Sequence, residues 1–96
     1  MVVHIVMFKF CDEDKEANIA EVTSRLNALV TLIPELKKME VGHNFTDSPR
    51  AFDLSLYSTF ESKEDLAAYA IHPEHVKVVE LIKSITVESK IVDYIL

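Results

Sequence analysis

The stretch VVHIVMFKF, residues 2–10, sets the terms for everything that follows it. Val2, His4, Val6, Phe8 and Phe10 share one parity, while Val3, Ile5, Met7 and Lys9 share the other. Side chains alternate between faces along a strand, so this is a strand that is apolar on both sides. Each side then needs cover, and one layer of helices supplies cover for only one.

Working outward, Ile19, Val22, Leu26, Leu29, Val30 and Ile33 recur at three- and four-residue steps, with Glu16, Glu21 and Arg25 between them. That spacing predicts an amphipathic helix from about Asp14 to Leu32. It ends ahead of Pro34, whose ring pushes the preceding residue out of helical geometry. The acidic CDEDKE at 11–16 and FESKED at 60–65 each precede an apolar periodic run. Carboxylates there suit the positive end of a helix dipole better than they suit a metal. Met39, Val41, His43 and Phe45 then alternate with Glu40, Gly42 and Asn44, a second strand closed by the turn-rich NFTDSPR at 44–50. AFDLSLYSTF at 51–60 is a third, with Phe52, Leu54, Leu56, Ser58 and Phe60 opposite Asp53, Ser55, Tyr57 and Thr59, and the two should form a hairpin. Ser62 with Asp65 has capping-box spacing and starts a short helix over Leu66 to Tyr69. The run AYAIHPEHVKVVELI at 68–82 breaks that helix and opens another, in which His75, Val78, Val79, Ile82 and Ile85 fall on one stripe. Pro73 suits a first helical position, which leaves His72 in the capping slot. TVESKIVDYIL at 86–96 reads as the last strand.

Strand, helix, strand, strand, split helix, strand is satisfied most simply by an α+β fold: a ferredoxin-like, four-stranded antiparallel sheet with its helices on one face. The other face, with Val3, Ile5 and Met7 and with Ser55 and Tyr57 beside them, would be bare. A second subunit in an isologous homodimer, a dimeric α+β barrel, would cover it.

The 96 residues suffice for one domain, spanning 1–96. Cys11 is the sole cysteine, so no disulfide forms within the chain and a cytoplasmic location is expected. The apolar start lacks a basic leader region and is too short to span a bilayer, so no membrane role is expected. A net charge of -6 with ten dispersed Lys and Arg argues against a nucleic-acid surface.

His72 and His75 with a third ligand could bind a metal, but no cysteine or carboxylate is fixed near them by spacing. Cys11 paired with a histidine is weaker again, since nothing places it nearby. A proton-transfer site from His75, Tyr69 and His4 is chemically sensible, because imidazole titrates near neutrality and a phenol can support a developing oxyanion. The plainest alternative makes His72 a cap and His4 and His75 satisfied wall residues, and spacing alone favours it.

HIVMFKF (4–10), LIPELKKMEVG (32–42), DLSLYSTFES (53–62) and YAIHPEHVKVV (69–79), with Tyr69 ahead of His-Pro-Glu-His the most specific part, together resemble the stress-responsive A/B barrel (Dabb) domain family. The resemblance spans almost the whole chain and implies a ferredoxin-like dimer whose sheets form a barrel. The family includes plant stress proteins and a polyketide cyclase acting by intramolecular aldol condensation. By that resemblance His75 is the base, Tyr69 its partner and His4 a pocket histidine, with no organic cofactor. A further pocket histidine of the cyclase falls on Leu54 here, a departure from that pattern. Val6, Phe8, Leu54, Leu56, His72, Val79 and Ile82 would line a pocket for an apolar or carbonyl-bearing small molecule. The resemblance also allows a magnesium ion on the backbone carbonyls of Val30, Ile33 and Leu36. The other reading it allows is a stress-responsive domain with no catalytic activity.

Overall fold

A computed structural model describes all 96 residues. The first stretch forms β1 (Val2–Phe10), which lies inside a four-stranded sheet rather than at its edge. It is flanked by β3 (Leu54–Phe60) and β4 (Thr86–Ile95), and β2 (Lys38–His43) pairs with the far side of β3. Every pairing is antiparallel, and the β2–β3 hairpin forms as its alternation predicts. The helices are α1 (Lys15–Leu32), α2 (Lys63–Ile71) and α3 (Pro73–Ile85). The order β2-β3-β1-β4 is that of a ferredoxin-like sheet, reached through two crossover connections.

The apolar stripes explain the layering. Val22, Leu26 and Leu29 of α1 and Val78 and Ile82 of α3 join one buried cluster with Val6, Phe8, Phe10, Leu54, Leu56 and Phe60 of the sheet. Burying a side chain of this size contributes roughly 1.5–3 kcal/mol each, so these helices hold through the shared core more than through propensity. Val30, counted on the α1 stripe, stands 38 % exposed because it lies at the edge of that stripe.

Local signals place most boundaries. Ser62 caps α2, its hydroxyl accepting from the Asp65 N–H at 3.1 Å, and the helix runs longer than its apolar residues alone suggest. Asp14, before α1, adopts left-handed φ 54°, which short acidic residues tolerate. Two strands are shorter than alternation predicts. β2 stops at His43 because the Asn44 carboxamide accepts from the Thr46 N–H, turning the chain and leaving Phe45 98 % exposed. β3 starts at Leu54 because Asp53 is spent on β1: its carboxylate accepts from the Phe10 N–H and its own N–H donates to the Phe8 carbonyl.

The face away from the helices departs from expectation in one respect. Met7 and Ser55 are exposed, and Ile5 and Tyr57 are half-buried, the latter beneath the Lys38 ammonium at 5.6 Å from its ring. Val3, however, is fully buried within this single chain, in register between Thr59 and Tyr94. Its cross-strand neighbours already cover it, so it adds nothing to a bare surface. Val92 and Tyr94 of β4, paired with Ile5 and Val3, extend the exposed apolar patch instead. No helix is long and apolar enough to cross a membrane.

Candidate functional site

The site begins at the break between α2 and α3. His72 is extended, with φ -63° and ψ 134°, and its Nδ1 accepts from the Glu74 N–H at 3.1 Å. It therefore caps α3 ahead of Pro73, and this architectural task takes it out of the cavity. One turn on, His75 faces the sheet. Its Nδ1 donates to the carbonyl of Ala70 at 3.0 Å, one of the acceptors left free at the end of α2. That bond fixes the tautomer and leaves Nε2 as the unprotonated nitrogen of the neutral ring. Burial lowers the His75 pKa below the usual histidine range, the Ala70 bond opposes this, and His4 and His72 add smaller repulsion.

Tyr69, the last buried residue of α2, stacks on His75 with ring centroids 4.1 Å apart and meets His4 edge-on at 6.5 Å. It is 1 % exposed, and its hydroxyl has no hydrogen-bond partner within the chain. Burial pushes the phenol pKa up, so it stays protonated and able to donate. An orphaned buried hydroxyl is costly, by about 1–3 kcal/mol, and such a group invites a ligand.

His4 and His75 line one cavity of about 210 Å³, together with Val6, Phe8, Leu56, Val79 and Ile82. Five of the seven residues expected to line a pocket are therefore there. Leu54 is not: it is buried beside Phe8, on the correct face but further along the strand. His72 is not either, for the capping reason above. Tyr69 lies behind the wall that the two histidines form. Leu26, Lys83, Thr86, Ser89 and Ile91 complete the lining. The last two come from β4, whose register with β1 sets Ser89 opposite Phe8 and Ile91 opposite Val6. Asp93, opposite His4 in the same register, accepts from its Nδ1. Sequence reasoning missed all of these. The alternation of Ser89, Ile91 and Asp93 put them on one face, but nothing local said which strand they would meet.

A magnesium ion fits the Ile33–Pro34 turn poorly. The Ile33 carbonyl already accepts from the Leu36 N–H at 3.1 Å, and the Lys37 ammonium sits 3.4 Å from the Pro34 carbonyl. A dication would have to share the first and face the charge of the second. No His, Cys, Asp and Glu side chains gather in threes.

A ferredoxin-like α+β chain with a small apolar cavity flanked by two histidines and a buried tyrosine defines the class. Residues 2–96 match the family model for the stress responsive A/B barrel domain, and the chain belongs to that family. It is 43% identical over 77 residues to a stress-response A/B barrel domain-containing protein of Arabidopsis thaliana, covering 80% of this chain and 29% of that protein. It is 33% identical over 93 residues to olivetolic acid cyclase of Cannabis sativa, covering 95% and 92% of the two chains. A crystal structure from Bacteroides fragilis, of a dimeric protein of unknown function with a ferredoxin-like fold, superposes with a TM-score of 0.87 at 32% identity, covering 97% of this chain and 93% of that one. The chain spans less than half the length of the curated plant stress-response relatives it matches.

Proposed function

We propose that this chain is a cytoplasmic homodimer that binds an apolar, carbonyl-bearing small molecule in the His4–His75 cavity and moves protons on it. The observation that supports this most is that His75, whose Nδ1 is held by the Ala70 carbonyl so that Nε2 is left unprotonated, lines a largely apolar cavity together with His4, against a buried tyrosine whose hydroxyl lacks a partner. An apolar cavity of about 150 Å³ holds benzene, so 210 Å³ suits a single ring or a folded short chain. The Lys83 ammonium, unpaired within the chain, suits a carbonyl or carboxylate oxygen. In the reaction His75 Nε2 takes a proton from the carbon next to a carbonyl. The electron pair moves to oxygen, where His4, which lines the cavity, would support the oxyanion, while Tyr69, stacked behind His75, would hold that ring in place. Ring closure of a linear poly-β-ketone follows when that carbon attacks a second carbonyl, whose oxygen takes the proton back from His75, and loss of that hydroxyl with a neighbouring C–H hydrogen as water completes the aldol condensation. The likeness to the cyclase supports this class of substrate.

General-base catalysis contributes about 10²–10⁴-fold. His75→Ala should lower turnover of a cyclisable poly-β-ketone by that factor and leave the dimer intact by size-exclusion chromatography. An unchanged rate would remove His75 as the base. The second reading, a stress-response domain without catalysis, draws support from the higher identity to the Arabidopsis stress-response protein and from Leu54 standing where the resemblance expects a histidine. Native mass spectrometry showing a bound metabolite that the purified protein never converts would favour it.

A further inference from the structure

Asp93 sits on the edge strand β4, and its carboxylate accepts from Nδ1 of His4. The pair is sheltered on one side only, the His4 side chain being 15 % exposed and that of Asp93 40 %. His4 is anchored twice, since the Ser58 hydroxyl donates to its backbone carbonyl at 3.1 Å from the other neighbouring strand. Its Nε2 has no bond within the chain and its ring lines the cavity. His75 repeats the arrangement with a different partner: Nδ1 anchored, on a backbone carbonyl, and Nε2 free.

We propose that Asp93 is a positioning residue which, by holding the Nδ1 proton of His4, turns Nε2 into the cavity and makes His4 a second proton-transfer group facing the substrate with His75. The proposal rests on the proton-transfer reading above and adds a division of labour to it. A carboxylate stabilises an imidazolium, which a backbone carbonyl does less well. In the enolisation step the substrate C–H bond breaks and an N–H bond forms at His75 Nε2. The Nε2–H bond of protonated His4 breaks and an O–H bond forms at the carbonyl oxygen. One positive charge moves from His4 to His75, and His4 is left as the Nδ1–H tautomer, still bound to Asp93. The β1–β4 register is what makes this possible, because a slip of one residue would bring Val92 or Tyr94 opposite His4 and turn Asp93 to the other face.

The test is the tautomer itself, read by long-range ¹H–¹⁵N correlation spectra of the full chain labelled in histidine, at about pH 9, well above the ordinary histidine range. Wild-type His4 should show the proton on Nδ1. Asp93→Asn, whose amide oxygen can still accept, should keep it there. Asp93→Ala should lose that preference, while the His75 pattern stays unchanged in all three proteins and reports that the fold is intact. A wild-type His4 carrying its proton on Nε2 would overturn the proposal, as would an Asp93→Ala spectrum identical to wild type. These spectra need no substrate, so they decide the positioning role separately from the His75→Ala turnover assay, which decides the chemistry.

Discussion

Replacing Tyr69 by phenylalanine should raise stability and lower activity at once, and the size of the first effect can be worked out. The hydroxyl is buried with no partner in the chain, a condition that costs about 1–3 kcal/mol. Phenylalanine removes the penalty, keeps the ring stacked on His75, and leaves a void of roughly 10 Å³ that costs about 0.2 kcal/mol. The net gain is about 1–3 kcal/mol. At 96 residues the chain is at the large end of the domain sizes for which 1 kcal/mol shifts Tm by about 4–8 °C, so about 4 °C per kcal/mol applies and the rise is roughly 3–11 °C. Thermal unfolding by circular dichroism and urea titration at one fixed protein concentration would measure it, the urea midpoint rising with an unchanged m value. Turnover should fall, since stability gained by removing a strained polar group at a site is commonly gained at the expense of function. A variant less stable than wild type by about 1 kcal/mol would refute the reasoning, because it would mean that the hydroxyl is satisfied in the folded protein.

His72→Ala should cost about 0.5–2 kcal/mol through loss of the α3 cap, and His72→Ser should recover it, both read by chemical denaturation. Because burial lowers the His75 pKa, the unfolded chain binds the extra proton below about pH 6.5 and the folded chain resists it, so acidification through that range should destabilise the protein. Stability compared between wild type and His75→Gln from about pH 7.5 to 5 should show a smaller loss in the variant; equal slopes would contradict the shift. Met7→Lys, on the exposed patch that a partner is proposed to cover, should yield monomer or aggregate by light scattering. A well-behaved dimer would mean that this face is not the interface.

How far the sequence carries the site differs from residue to residue. His72 was legible because capping is local: proline at the next position and a free N–H two residues on are enough. His75 was legible because a helical stripe that includes Val79 and Ile82 has one inward direction. Leu54 and His72 were expected to line the cavity and do not: His72 is taken up by its cap, and for Leu54 parity says which face a side chain takes, not how far along that face a void lies. Val3 illustrates the same limit from the other side. Its parity is that of the bare face, but whether it is bare depends on Thr59 and Tyr94, which arrive from strands more than fifty residues away.

What the sequence by itself determined was every feature set by near neighbours: two-faced β1, the stripes of α1 and α3, the hairpin, the caps at Ser62 and His72, and from their order the ferredoxin-like fold. Only the tertiary structure decided the β1–β4 register, and with it the Asp93–His4 contact, the β4 wall of the cavity and the buried, unpaired hydroxyl of Tyr69. The physical reason is one of range. Periodicity and capping are written in residues a few positions apart, whereas register and voids depend on how whole faces pack, and the ends of the chain that meet at His4 and Asp93 are 89 positions apart.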